Sequence, residues 1–436
     1  MAFGGAFRNP WFAVALFTAA MGCGSEGIQS DRDVGQGVSG ADVPPTQAWA
    51  RTTLPVEQGV AVDASGNVIV LAQTEDDSPG FGLALYKYDP SGRPLWEQQW
   101  RTFEQVQSYT KLAVDAKGNI LVGGNWTDTA ASKSGFLAQK YDPEGHGLWQ
   151  REWQGTDLVD LAFEVDGDIA LLSRDHLTVI DLDGGPRFQN GWTGVAVRIS
   201  LDGGIYIAGG LGPSGQHAEL AKFNPRGSLA WTYSFAAEAN PSLVLERVVR
   251  ALAVDAQGNA TITGDRAFKA NVQQPVFVYQ YMTTRVSAAG AQIWQREDDF
   301  NQNGGIPSAI ALDSSGNVTV TGVTRNMDAP GLQIFLTCQY DAGGALRWEL
   351  QDHWNDAPVP IIPVGLAVDA AGVAYVTGNI GDGANQPGTV AYGTTGNVVW
   401  RARDVASGRA AGIAVDVAAK VAYVATTSEV VKYVAP

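Results

Sequence analysis

The stretch Ala311-Leu-Asp313-Ser-Ser-Gly316-Asn317-Val-Thr-Val-Thr-Gly322 decides how this chain is read. An apolar pair runs into Asp, a small turn closes on Gly-Asn, and a period-2 run of Val and Thr leaves it, which is the pattern of two antiparallel strands joined by a tight hairpin. Gly suits a turn that needs positive φ, and Asp can bond the backbone of its own turn. The phrase recurs as Ala61-Val-Asp63-Ala-Ser-Gly66-Asn67, Ala113-Val-Asp115-Ala-Lys-Gly118-Asn119, Ala253-Val-Asp255-Ala-Gln-Gly258-Asn259 and Ala367-Val-Asp369-Ala-Ala-Gly372. Weaker copies at Glu164–Asp168, Ser200–Gly204 and Asp416–Lys420 bring the total to eight.

A second phrase places Gly four residues before Trp: Tyr88-Asp-Pro-Ser-Gly92 to Trp96, Tyr141-Asp-Pro-Glu-Gly145 to Trp149, and Phe223-Asn-Pro-Arg-Gly227 to Trp231. It continues at Gly290 and Trp294, Gly344 and Trp348, and Gly396 and Trp400, with Gly184 and Phe188 as a degenerate copy. These aromatics are 53, 39, 43, 63, 54 and 52 residues apart, which brackets a four-stranded propeller blade. The last repeat stops after three strands, Gly412–Asp416, Val421–Val424 and Val430–Tyr433, and Gln47-Ala-Trp49-Ala-Arg matches the strand it lacks. The expectation is an all-β chain forming a single eight-bladed β-propeller over residues 46–436, with its last blade closed by the N-terminal strand so that no sheet edge stays open. Trp49, Trp96, Trp149, Trp231, Trp294, Trp348 and Trp400 then share one structural position on the outermost strands, packing neighbouring blades together.

Phrases of the Ala311–Gly322 kind resemble the repeat of bacterial beta-propeller repeat proteins, the group called SBBP-repeat proteins. The resemblance touches nearly the whole chain after residue 46, although repeats three, four and eight depart from it. It implies an exported or surface-attached propeller, adds little about chemistry, and its name implies seven blades, the alternative to a count of eight.

Composition agrees with a β-rich globular chain. It has 436 residues, 52 Gly, 45% hydrophobic and 17% charged residues, and 2 Cys, which excludes disorder and a disulfide scaffold. Lys+Arg 29 against Asp+Glu 45 gives a net charge of −16 with no basic stretch, so nucleic acid is excluded as a partner on electrostatic grounds.

Residues 1–22 read as a lipoprotein-type signal peptide: Arg8, the apolar run Trp11–Met21, then Gly22 before Cys23. Eleven apolar residues are too few to span a bilayer. Cys after a small residue resembles the lipobox of bacterial lipoproteins, which implies lipidation at Cys23, export, and a place in the cell envelope; an ordinary signal peptide cut near Cys23 is the alternative. Gly24 after the Cys resembles outer-membrane lipoproteins, on the periplasmic or surface face. Removing residues 1–22 takes away Arg8 alone, so −16 becomes −17. Residues 23–45 are Gly, Ser and Asp rich, a flexible tether to the membrane.

No catalytic residue, metal site or cofactor is indicated. The Asp-x-x-Gly-Asn turns lack the alternating acidic string of a calcium loop, and turn chemistry accounts for them. His146, His176, His217 and His353 fall in separate repeats without a zinc-binding spacing. Cys338 sits in a strand-like run, a small buried hydrophobe. Eight blades with such Trp also resemble the quinone-dependent alcohol dehydrogenases, whose vicinal disulfide these two Cys cannot form.

The connections do differ. First-to-second and third-to-fourth strand turns are short, whereas second-to-third and blade-to-blade loops are long, and strand alternation puts both long classes on one face. That face carries Asp76, Asp77, Phe103, Glu104, Trp126, Phe300, Arg325, Asp328, His353, Trp354 and Asp356, an acidic set with exposed aromatics. A monomeric scaffold binding a protein, peptide or glycan there is the first reading. A hydrolase or lyase using loop carboxylates at the central channel is the second, and a purely structural ring the third.

Overall fold

A computed structural model describes residues 45–52, 56–75, 81–101, 111–128, 131–163, 168–212, 217–235, 244–269, 277–298, 300, 304–325, 333–352, 361–381, 386–403 and 408–435. Residues 1–44, which hold the expected signal peptide, Cys23 and all but the last residue of the expected tether, lie outside them. The strands form eight four-stranded antiparallel sheets. Seven are consecutive meanders, spanning 56–101, 111–154, 158–190, 196–233, 244–298, 305–352 and 361–403. In the eighth, Ala410–Asp416, Val421–Thr426 and Glu429–Val434 are completed by Thr46–Thr52, with Thr46 opposite Val434 and Thr52 opposite Glu429.

The first strand of each sheet touches the first strand of the next, and Ala410–Asp416 of blade 8 returns to Val56–Val62 of blade 1. The chain is therefore an eight-bladed propeller closed by its first strand, and the alternative of seven blades is excluded. The apolar core lies between sheets: Leu121, Phe136 and Ala138 of blade 2 pack on Leu158, Leu161 and Leu171 of blade 3. Val68 and Val70 of blade 1 likewise pack on Tyr423 and Val430 of blade 8.

Both repeated phrases meet at one end of this ring, the turn end. At Asp63 one carboxylate oxygen accepts from the N–H groups of Ser65 and Asn67, each 2.9 Å, and the other accepts from Asn67 Nδ2 at 2.9 Å. Gly66, at φ 77°, closes the turn by donating to the Asp63 carbonyl at 2.9 Å. Burial pushes the Asp63 carboxyl up, but hydrogen bonds from Asn67 and Lys87 outweigh it and hold the group below its ordinary value. With both oxygens engaged by donors, these turns are hydrogen-bonded hairpins.

Lys87 Nζ lies 2.9 Å from Asp63 of its own blade and, across the gap, donates to the Pro143 carbonyl of blade 2 at 3.0 Å. Trp96 Nε1 donates to that same carbonyl at 3.0 Å. The Trp96 ring covers Gly145, where a Cβ would stand 2.9 Å from Cδ2, so at φ 88° only Gly fits. The arrangement repeats: Trp49, Trp149, Trp231 and Trp294 donate to the carbonyls of Pro90, Leu182, Ala288 and Ala342 on the next blade. At closure, Trp49 and Lys432 Nζ together grip Pro90, the latter at 2.7 Å. Trp400, on the blade before the closing strand, instead packs on Tyr433 with ring centroids 5.6 Å apart. Each buried aromatic of this size contributes about 4 kcal/mol before the entropy of ordering it is subtracted.

Candidate functional site

The antiparallel meander sends all second-to-third and blade-to-blade connections to the opposite end, the loop end. Turn-end connections are five residues long in every blade except the last, where the turn is 417–420. Loop-end connections run from two residues, 427–428, to ten, 234–243. They are not uniformly long, which corrects the expectation from sequence. Blade 3 joins its neighbours through 155–157 and 191–195 and closes its own hairpin with 174–176. Such short loops work because side chains supply the turn bonds: Ser173 Oγ accepts from His176 N–H at 3.1 Å, and Thr426 Oγ1 accepts from Glu429 N–H at 3.1 Å.

The long connections gather instead in one arc. Five in succession, 234–243, 270–276, 299–304, 326–332 and 353–360, surround blades 5 and 6, while 102–110 and the six-residue 404–409 stand apart from them. Blade 5 also has the longest strands of the ring, Val244–Val254, Ala260–Lys269 and Phe277–Val286.

Asp76, Asp77, Phe103, Glu104, Asp328, His353, Trp354 and Asp356 lie outside the described residues. Arg325 ends its strand opposite Gln333, at the start of the 326–332 connection. Trp126 is half-buried, and its Nε1 donates to the Phe136 carbonyl of its own blade at 3.2 Å. Phe300 corrects the expectation of an exposed aromatic. It is only 4% exposed, because at φ 41° the chain turns its ring edge-on beneath the loop end against buried Tyr281, centroids 5.1 Å apart.

Sequence reading did not single out the inner wall. Register makes Gly59, Lys111, Asp160, Ala196, Ala251, Ala309, Gly365 and Gly412 equivalent positions on the first strands, and likewise Ala61, Ala113, Ala162, Arg198, Ala253, Ala311, Ala367 and Ala414. Small residues prevail because the strands crowd one another: a Cβ on Gly365 would stand 2.9 Å from Ile413 Cγ2 of the next blade. The exceptions are Lys111, Asp160 and Arg198, on consecutive blades. Arg198 Nη1 donates to Asp160 Oδ2 at 2.7 Å, Val197 N–H donates to the same oxygen at 3.1 Å, and Lys111 Nζ lies 3.9 Å from Asp160 Oδ1. On blade 5, Arg250 is ion-paired with Asp265, itself only 2% exposed. Both acids are thus engaged by arginine, and among the described residues no three His, Cys, Asp or Glu side chains gather as a metal site.

No protein-family model matches this chain, and neither does any curated protein sequence. Its fold has counterparts among solved structures. The Dos1 propeller aligns over 89% of this chain and 95% of its own with a TM-score of 0.57 at 11% identity. The C-terminal WD40 domain of Sif2 aligns over 88% and 98% with a TM-score of 0.55 at 10% identity. At such identities the likeness establishes one thing: the chain has the β-propeller fold.

Proposed function

We propose that this protein is a binding scaffold of the SBBP-repeat kind, exported and held to the cell envelope by lipid on Cys23, which engages a protein, peptide or glycan through the loop end above blades 5 and 6. The observation that carries this reading is the contrast between ends. Near-constant five-residue turns build one, while at the other five successive connections of six to ten residues join the strands of blades 5 and 6 to each other and to their neighbours. On a rigid ring, variable loops are where recognition is built without disturbing the fold.

The direction of the tether supports the same reading. Thr46 pairs with Val434 at the turn end, so the chain enters the ring at the end opposite the long connections. The second reading is a hydrolase or lyase using loop carboxylates at the central channel; of the described acids on and beside the first strands, Asp160 and Asp265 are each held by an arginine. Labelled fatty acid is expected to enter the wild-type protein and not Cys23→Ala. Equal labelling of both would remove the anchor.

A further inference from the structure

We infer that the inner wall of blades 2 to 4 is an anion-binding site, in which Lys111 and Arg198 receive the carboxylate or phosphate group of a small ligand. At these two equivalent positions of the first strands, Gly or Ala satisfies every other blade, so the fold has no need of charge there. Three charged residues replace them on three adjacent blades, in the order cation, anion, cation. Departures from a repeat that leave the fold intact are where function is sought.

Asp160 is 15% exposed and acts as the positioning residue between the two cations. Its Oδ2 is filled by Arg198 and Val197, and its Oδ1 faces Lys111. The cations keep unspent donors. Among the described residues, Arg198 gives hydrogen bonds through Nη1 alone, to Asp160 and to the Val197 carbonyl at 2.6 Å, leaving Nε and Nη2 free. Lys111 Nζ, 3.9 Å from its carboxylate, makes no hydrogen bond there at all. Their side chains are 38% and 43% exposed, open to a ligand. The cluster carries one surplus positive charge in a chain of net charge −16, and a local excess of one sign attracts the opposite one. The Arg198–Asp160 pair also ties two neighbouring strands, yet it uses only part of the guanidinium and none of the Lys111 ammonium's hydrogen bonds. A carboxylate or phosphate oxygen matches the free guanidinium donors and the ammonium.

Alanine is the test, because it is what the equivalent positions already carry. Calorimetric titration of the full chain at low ionic strength, with succinate and separately with inorganic phosphate, is expected to show saturable binding of at least one. Lys111→Ala/Arg198→Ala should weaken that binding about ten- to a hundredfold, the effect of losing charge-assisted hydrogen bonds. The unfolding midpoint should stay within a degree or two of wild type. Arg93→Ala, remote on an exposed turn, should bind as wild type does. Binding of succinate alone, or of phosphate alone, identifies the group the site takes. No saturable binding of either by wild type, or equal binding by the double variant, overturns the inference. If the double variant unfolds, Lys111→Gln and Arg198→Gln, tested singly, must show the same loss. None of these results depends on the loop-end partner, so this site and the scaffold reading stand or fall separately.

Discussion

Trp294 and Trp126 stand at opposite ends of the ring and are held differently. Trp294 at the turn end is 6% exposed, donates across the blade gap to the Ala342 carbonyl at 3.0 Å, and covers Gly344 of the next blade. Trp126 at the loop end is half-buried and, among the described residues, bonds within its own sheet. The first joins two blades and the second finishes one. The contrast extends to the two ends as wholes: interblade latches and constant turns secure the ring, while the loop end is free to differ from blade to blade.

Replacement of each Trp by Ala should break that symmetry of composition. Trp294→Ala is expected to cost about 3–5 kcal/mol in urea unfolding, the usual loss for a buried large aromatic. Trp126→Ala should cost about 1–2 kcal/mol, since it is partly exposed and bridges no gap. Equal losses would contradict the division. Gly344→Ala follows at about 1–3 kcal/mol. Its φ is 85°, and a Cβ would stand 2.6 Å from the Trp294 ring, so both backbone and neighbour must yield.

Acid should weaken the turn end. Hydrogen bonds from Ser91 and from the Arg93 backbone and guanidinium hold Asp89 at about 2, below its ordinary 3.8. Asp202, held chiefly by Ser200, and Asp63 are lowered too. A carboxyl whose folded value is depressed contributes stability that is complete above the unfolded value and lost as pH falls toward the folded one. The melting temperature should therefore drop between pH about 4 and about 2. Asp63→Asn, which keeps an oxygen acceptor but no charge, should flatten part of that drop; an unchanged slope would show that the turn carboxylates do not govern it.

Much of the ring was legible in sequence because its instructions are local. Asp63, Gly66 and Asn67 form their turn among themselves, so eight copies of that phrase sufficed to count blades, and Trp49 with its flanking residues identified the closing strand. The four-residue spacing of Gly and Trp located both but not their contact. Gly145 packs under Trp96 of the preceding blade, not under the Trp149 that follows it in sequence, and spacing within one blade carries no information about its neighbour. Phe300 was misread for the same reason: its burial is set by Tyr281 and the closing gap between blades 5 and 6, not by its place in a connection. Lys111, Asp160 and Arg198 were visible as breaks in a Gly/Ala position, but their meeting depends on the crossing from one inner strand to the next.

Shortening the loop end should barely touch stability. Lys269 pairs with Phe277 and Arg325 with Gln333, so 270–276 and 326–332 can each be replaced by Asn-Gly, which closes a two-residue hairpin. The change in unfolding free energy should be under about 1 kcal/mol. The decisive measurement is an envelope pull-down with this doubly shortened protein beside wild type and beside a control in which turn 89–93 is exchanged for 142–146. The account predicts that the shortened ring, folded and melting as wild type does, loses a partner that wild type and the turn-exchanged control both retain. Retention of every partner by the shortened ring would contradict it.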